Sequence, residues 1–147
     1  MGEVRDGKAT SGIELVPIGA LTMKIGDIFT VGRTPFGHRG IGEIYDGRID
    51  GARLHAEQAG RAAADWGRVS DDGLVYGDIR VTWRTADHAT LLMTYQAVMD
   101  GTGPAYAAMR FEAGEGLYSW MNRVQIIGKG TFDPVAAFVH YDLYELR

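Results

Sequence analysis

The sequence predicts an all-β domain, an antiparallel sandwich or closed barrel, and three observations carry that expectation. Short apolar runs recur at about 8–12-residue spacing with turn residues between them. Glycine is abundant, 21 of 147 residues, against an average usage of about 7%, which suits many tight turns better than a helical bundle. One segment, Val75 to Arg84, alternates strictly. Val75, Gly77, Ile79, Val81 and Trp83 fall on one face, and Tyr76, Asp78, Arg80, Thr82 and Arg84 on the other, the period of a strand.

The elements follow in order. Residues 1–12 (MGEVRDGKATSG) carry charge and glycine without periodicity and are read as a flexible arm before a single domain over 13–147. Ile13 to Ile18 and Leu21 to Val31 are apolar enough for strands, with Gly26-Asp27 marking a bulge or a strand end. Ile41 to Tyr45 and Arg48 to Ile49 flank Asp46-Gly47, a short-hairpin signal. Asp50-Gly51 follows at once, so one pair is the turn and the other a kink, and Ala52 to Gln58 is the next strand. Asp71-Asp72-Gly73 leads into Val75–Arg84, and Thr85 to His88 leads out into Ala89 to Met99, an antiparallel hairpin. Tyr106 to Glu112, Val124 to Ile127 and Ala137 to Leu146 complete the strands. Helical turns are expected only at alanine-rich Gln58 to Ala64 and at Glu115 to Arg123.

Composition narrows the function classes. The net charge is −4 with no basic tract, a poor match to nucleic acid or an anionic membrane, whose phosphates need clustered cations. No cysteine is present, which excludes disulfides, a thiolate nucleophile and zinc–sulfur sites. The polar start shows no signal peptide, and no apolar run reaches the length of a spanning helix, so a cytoplasmic domain is expected. His38, His55, His88 and His140 lack paired spacing, and no metal is expected. Gly128-Lys129-Gly130-Thr131 lacks the spacing of a phosphate loop. Nothing implies a nucleotide, flavin or haem, and no cofactor is expected.

Several blocks carry a family resemblance. Ala64-Asp65-Trp66, Asp72-Gly73, Asp78-Ile79-Arg80 and Arg84-Thr85-Ala86-Asp87 are similar to the core of the DUF3237 (UPF0311) family of small bacterial proteins. Arg110-Phe111-Glu112, Tyr118 to Arg123 and the closing Tyr141-Asp142-Leu143-Tyr144-Glu145 resemble the same family. The resemblance implies a single antiparallel β-barrel of lipocalin-like or allene-oxide-cyclase-like shape, with short helical turns at the barrel ends, paired into a homodimer. It implies no reaction.

The residues that invite chemistry are Asp65, Asp78, Arg80 and Tyr95. If Arg84 pairs with Ala89 across the turn, the register sets Tyr95 opposite Asp78, beside Arg80 on the same face. If that face lines the barrel, Asp78 or Asp65 serves as the base while Arg80 or Tyr95 stabilises the developing oxyanion. The other reading makes Asp78, Arg80 and Arg84 a solvated ion-pair ladder, since Val75, Ile79, Val81 and Trp83 opposite them are natural core residues. Trp66 is read as a barrel-end plug or an aromatic wall. Trp120 and Asn122 close an end or contact ligand, and His140 is a wall residue or an acid–base group. His38 is a surface residue or part of a lid. The expected function is proton transfer without a cofactor, of isomerase, dehydratase or lyase type, on a hydrophobic carbonyl-bearing or aromatic small molecule. The alternatives are a carrier or sensor of such a ligand and a structural dimer.

Overall fold

In the computed structural model the chain winds into a ring of antiparallel strands, each hydrogen-bonded to the next in sequence. The structure describes residues 12–147 and, before them, the backbone of Val4–Arg5 (β1) and Lys8–Ala9 (β2), which pair with each other. The rest of the arm expected over 1–12 lies outside the described residues. The barrel strands are β3 (Leu15–Thr34), β4 (Gly37–Asp50), β5 (His55–Val69), β6 (Leu74–Thr85), β7 (Thr90–Asp100), β8 (Pro104–Ala113), β9 (Gln125–Asp133) and β10 (Phe138–Leu146). β10 pairs with both β9 and β3, so the eight strands form one closed barrel, which leaves the ring itself no first or last strand exposed as an edge. Among the described residues no helix is long and apolar enough to cross a membrane.

Three local expectations are corrected. Asp46-Gly47 is not a hairpin: β4 runs through it, and Asp46 takes a positive φ of 52° inside a stretch where the β4–β5 register shifts. The turn of the two pairs is Asp50-Gly51, where β4 ends and Asp50 pairs with His55 at the start of β5; a separate hairpin at Thr34 to Gly37 joins β3 to β4, and there the Thr34 hydroxyl donates to the Gly37 carbonyl (2.8 Å). Gln58 to Ala64 is strand, not helix; it carries a bulge at which Gly60 has φ 63°. Small side chains there are spacers in a bulged wall, and that spacing mimics helix propensity. Ile13–Ile18 and Leu21–Val31 merge into β3, and the register shift between Ile25 and Ile28 lies where Gly26-Asp27 interrupts the pattern.

The barrel ends differ. One end is packed. Trp83, Leu21, Ile49, Leu91, Phe111 and Leu143 fill the lumen there, all buried, and the 3₁₀ turn Ser119–Arg123 drops Met121 onto them. Asn122 holds that turn in place: its Oδ1 accepts from the Ala113 N–H (2.8 Å) and its Nδ2 donates to the Ala113 carbonyl (2.9 Å). Arg53 donates to the carboxylate of Glu145 (2.6 Å) and lies over the Trp120 ring at 4.2 Å. With Arg147 also donating, these cations hold the Glu145 carboxyl below its ordinary range. Because Asn122 binds both polar groups of one residue, Asn122→Ala leaves two backbone groups to water and frees the turn. A loss of about 1–2 kcal/mol is expected, read from urea denaturation midpoints.

Candidate functional site at the open end of the lumen

The opposite end, where the hairpins Thr34–Gly37, Ser70–Gly73, Asp100–Gly103 and Asp133–Ala137 gather, stays open. A cavity of about 340 Å³ enters the lumen there, walled by Met23, Ile44, Ile79, Met99, Val139 and other apolar residues, with Asp65 and Tyr95 among them. Its size falls in the range of small-molecule sites, which are apolar clefts with a few placed polar groups.

Register builds this wall. Gly42 on β4 faces Asp65 on β5, Asp65 faces Ile79 on β6, and Ile79 faces Tyr95 on β7. These residues form one row across four strands, with their side chains on the lumen side. Glycine at 42 leaves open the space a side chain would fill opposite Asp65; a Cβ there meets only Ile25 and Ile28, at 3.5 and 3.9 Å. Gly67 is a second spacer, since a Cβ on it would lie 3.1 Å from Oδ1 of Asp65.

Asp65 is half-buried, and its Oδ1 accepts the backbone N–H of Asp78 at 3.0 Å. Burial pushes its carboxyl above the ordinary value, partly offset by that N–H, because an apolar wall penalises the charged form. Tyr95 is 5% exposed. Its ring meets Tyr141 of β10 edge to face, with centroids 5.7 Å apart at 80°. Burial first, then Tyr141 and the Asp65 charge, push the Tyr95 phenol well above its usual range; burial and Asp65 do the same to Tyr141. The site therefore holds one acid that titrates above its normal range and two phenols that stay protonated.

The remaining expected site residues lie elsewhere. Arg84 pairs with Thr90, not Ala89, so Tyr95 stands opposite Ile79 and Asp78 opposite Gln96. One residue of difference in the turn moves every side chain of the pair to the other face. Asp78 and Arg80 are exposed on the outer wall, the solvent side that the ladder reading gave them though without an ion pair between them, and only the backbone N–H of Asp78 reaches the site. Trp66 is also outside, 42% exposed, where Arg39 donates to its carbonyl at 2.7 Å; it neither plugs the barrel nor lines the lumen. His140 faces outward, with Nε2 3.4 Å from Asp142 Oδ1. Trp120 and Asn122 belong to the packed end. His38 lines the cavity as an exposed residue of its mouth. Sequence reasoning gave Tyr141 no role in a site, although the alternation of Ala137 to Leu146 already set it on one face with Val139 and Leu143; all three are buried, and β10 carries them into the barrel by pairing with β3 and β9.

The model of the family described as "Protein of unknown function (DUF3237)" matches residues 13–110, two-thirds of the chain. The chain belongs to the DUF3237 family. Its β-barrel resembles solved structures closely. A β-barrel-like protein from Acinetobacter baumannii has a TM-score of 0.83 at 24% identity, covering 93% of this chain and 98% of that one. A conserved protein of unknown function from Rhodopseudomonas palustris gives 0.84 at 20%, covering 94% and 100%. An enzyme from Penicillium herquei gives 0.68 at 18%, covering 92% and 94%. At such identities the likeness is one of fold. No curated protein matches the sequence. This DUF3237 chain thus shares its fold with proteins that include one described as an enzyme.

Proposed function

We propose that the open lumen binds a small hydrophobic metabolite bearing a carbonyl or aromatic group, and that Asp65 transfers a proton on it. The observation that carries this reading is the placement of one carboxyl group, raised in pKa by burial, beside a tyrosine in a cavity whose buried lining is otherwise apolar; the exposed Thr30, His38 and Arg68 supply the rest of its polar lining. Asp65 Oδ1 accepts the Asp78 N–H, a bond an asparagine would also make, so what the acid adds is its ionisable proton, and perturbed acids in clefts are a mark of acid–base sites. In the proposed step the Asp65 carboxylate takes a proton from the carbon next to a carbonyl. The bonding pair moves toward the oxygen, which accepts a hydrogen bond from Tyr95 as charge develops. Returning the proton to a different carbon completes an isomerisation; expulsion of a β-hydroxyl with that proton completes a dehydration. The description of the Penicillium herquei relative as an enzyme supports a catalytic over a carrier reading.

The test needs no natural substrate. Deuterium exchange at the acidic carbon of 2-tetralone in D₂O, followed by proton NMR, is expected to run faster with the protein than in buffer. Gly42→Leu, which fills the space facing Asp65, is expected to suppress that acceleration by at least about tenfold, while circular dichroism reports an intact barrel. Acceleration that survives the substitution would move the chemistry out of the lumen. Binding of 2-tetralone without acceleration would make the protein a carrier.

A further inference from the structure

The Tyr141 hydroxyl is buried and has no hydrogen-bond partner among the described residues. A buried hydroxyl left unpaired costs about 1–3 kcal/mol, and a phenylalanine would fit the same aromatic packing without that cost. The Tyr95 side chain lines the cavity, and its hydroxyl lies beside that of Tyr141, within reach of a hydrogen bond between the two. The two rings touch edge to face, close enough to affect each other's ionisation.

We propose that Tyr95 and Tyr141 form a relay that recognises a phenolic or enolic oxygen, with Tyr95 donating to the ligand and Tyr141 donating to Tyr95. The inference rests on the lumen being the ligand site, as above, and adds the class of ligand and a role for Tyr141. Tyr141 is enclosed, so it does not touch the ligand; it is a positioning residue that acts through Tyr95. A chain of such bonds strengthens each member in a low-dielectric site. Both phenols stay protonated, so they offer donors, and the matching ligand atom is an acceptor. A phenol or enol also carries a hydrogen for the Asp65 carboxylate, so a single hydroxyl on the ligand satisfies both sides of the site. A carboxylate on the ligand meets the charge of Asp65 instead and is repelled. The ligand class is therefore an uncharged phenol, or the enol form of a ketone, on an apolar body.

Three probes of similar size separate the outcomes: 4-nitrophenol (kept below its own pKa), 4-nitrotoluene and 4-nitrobenzoate, titrated by calorimetry. The phenol is expected to bind at least about tenfold more tightly than the toluene, a difference of about 1.4 kcal/mol, with the benzoate weakest. Tyr95→Phe is expected to erase the advantage of the phenol. Tyr141→Phe is expected to reduce it several-fold, leave 4-nitrotoluene binding unchanged, and raise the melting temperature of the free protein. A merely structural Tyr141 would shift all probes together or none. Should Tyr141→Phe fold poorly, ¹³C labelling of the tyrosine ζ carbons replaces it: the Tyr141 signal is expected to move when 4-nitrophenol binds and to stay when 4-nitrotoluene binds. Equal binding of phenol and toluene would overturn the relay while leaving the lumen as a ligand site. Failure of all three probes to bind would remove the lumen site and the relay together.

Discussion

Asp65→Asn is expected to lower proton-transfer activity by about 10²–10⁴-fold, the contribution typical of a positioned general base, while making the protein more stable at neutral pH. The two effects share one cause. The folded protein holds the Asp65 carboxyl above its ordinary pKa through burial, so the ionised group is disfavoured in the barrel relative to the unfolded chain. By linkage, its contribution to stability is fully present in acid. It declines as pH rises from the ordinary carboxylate value through the raised value in the fold, and the penalty is complete above that. Asparagine keeps the Oδ1 that accepts from Asp78 and removes the charge. The variant is therefore expected to gain about 1 kcal/mol at pH 7, within the usual gain when a functional strain is relieved. The stability difference from wild type should shrink toward acid pH. Urea denaturation at a series of pH values, alongside 2-tetralone exchange, reads both effects. Lost stability with retained exchange would remove Asp65 from the chemistry.

Trp83→Ala is expected to carry the largest stability loss, about 3–5 kcal/mol. Trp83 has no exposed surface and is the largest fully buried side chain among the described residues. A Cβ on Gly47 would lie 2.9 Å from its ring, so that strand approaches the indole too closely for the void to be filled by collapse. A total stability of about 5–15 kcal/mol leaves little after such a loss. Trp83→Phe makes the argument more specific. The indole Nε1 is buried without a partner among the described residues, and phenylalanine removes that orphan donor with only part of the volume. It is expected to cost less than half of the alanine change. Equal losses for the two would mean that the indole packs less tightly than its neighbours imply.

The barrel was legible because its clearest strand, Val75–Arg84, alternates without exception and its flanking turns use the residues that turns demand. Which face of that strand is the lumen was a choice between two readings, and hydrophobicity pointed to the right one: Ile79, Val81 and Trp83 go inside. What misled was register. A turn longer by one residue than expected separated Tyr95 from Asp78 and aligned it with Ile79. Asp65 and Tyr95 were visible as residue types. Their meeting was not, because it depends on a row of pairings across β4, β5, β6 and β7. The bulge in β5 was hidden, and the kink in β4 was left at either of two Asp-Gly pairs, for a different reason. Asp46-Gly47 and Gly60 allow positive φ equally well in a turn and in a strand. Trp120 and Asn122 drew notice as ligand contacts, yet Asn122 spends its amide on Ala113 and Trp120 lies under Arg53.

The seam between β3 and β10 has a kinetic meaning. Every other pair in the ring joins neighbours in sequence, so each can form locally, the longest connection being residues 114–124 between β8 and β9. The seam joins the first barrel strand to the last, with Leu146 beside Leu15, and its loop is the rest of the barrel. Closing so long a loop has the highest entropic cost of any contact in the molecule. Until it closes, the meander is an open ribbon with two bare flanks. The ring therefore completes last and at one place, and the species at greatest risk of sticking to its own kind is the full set of hairpins just before that step.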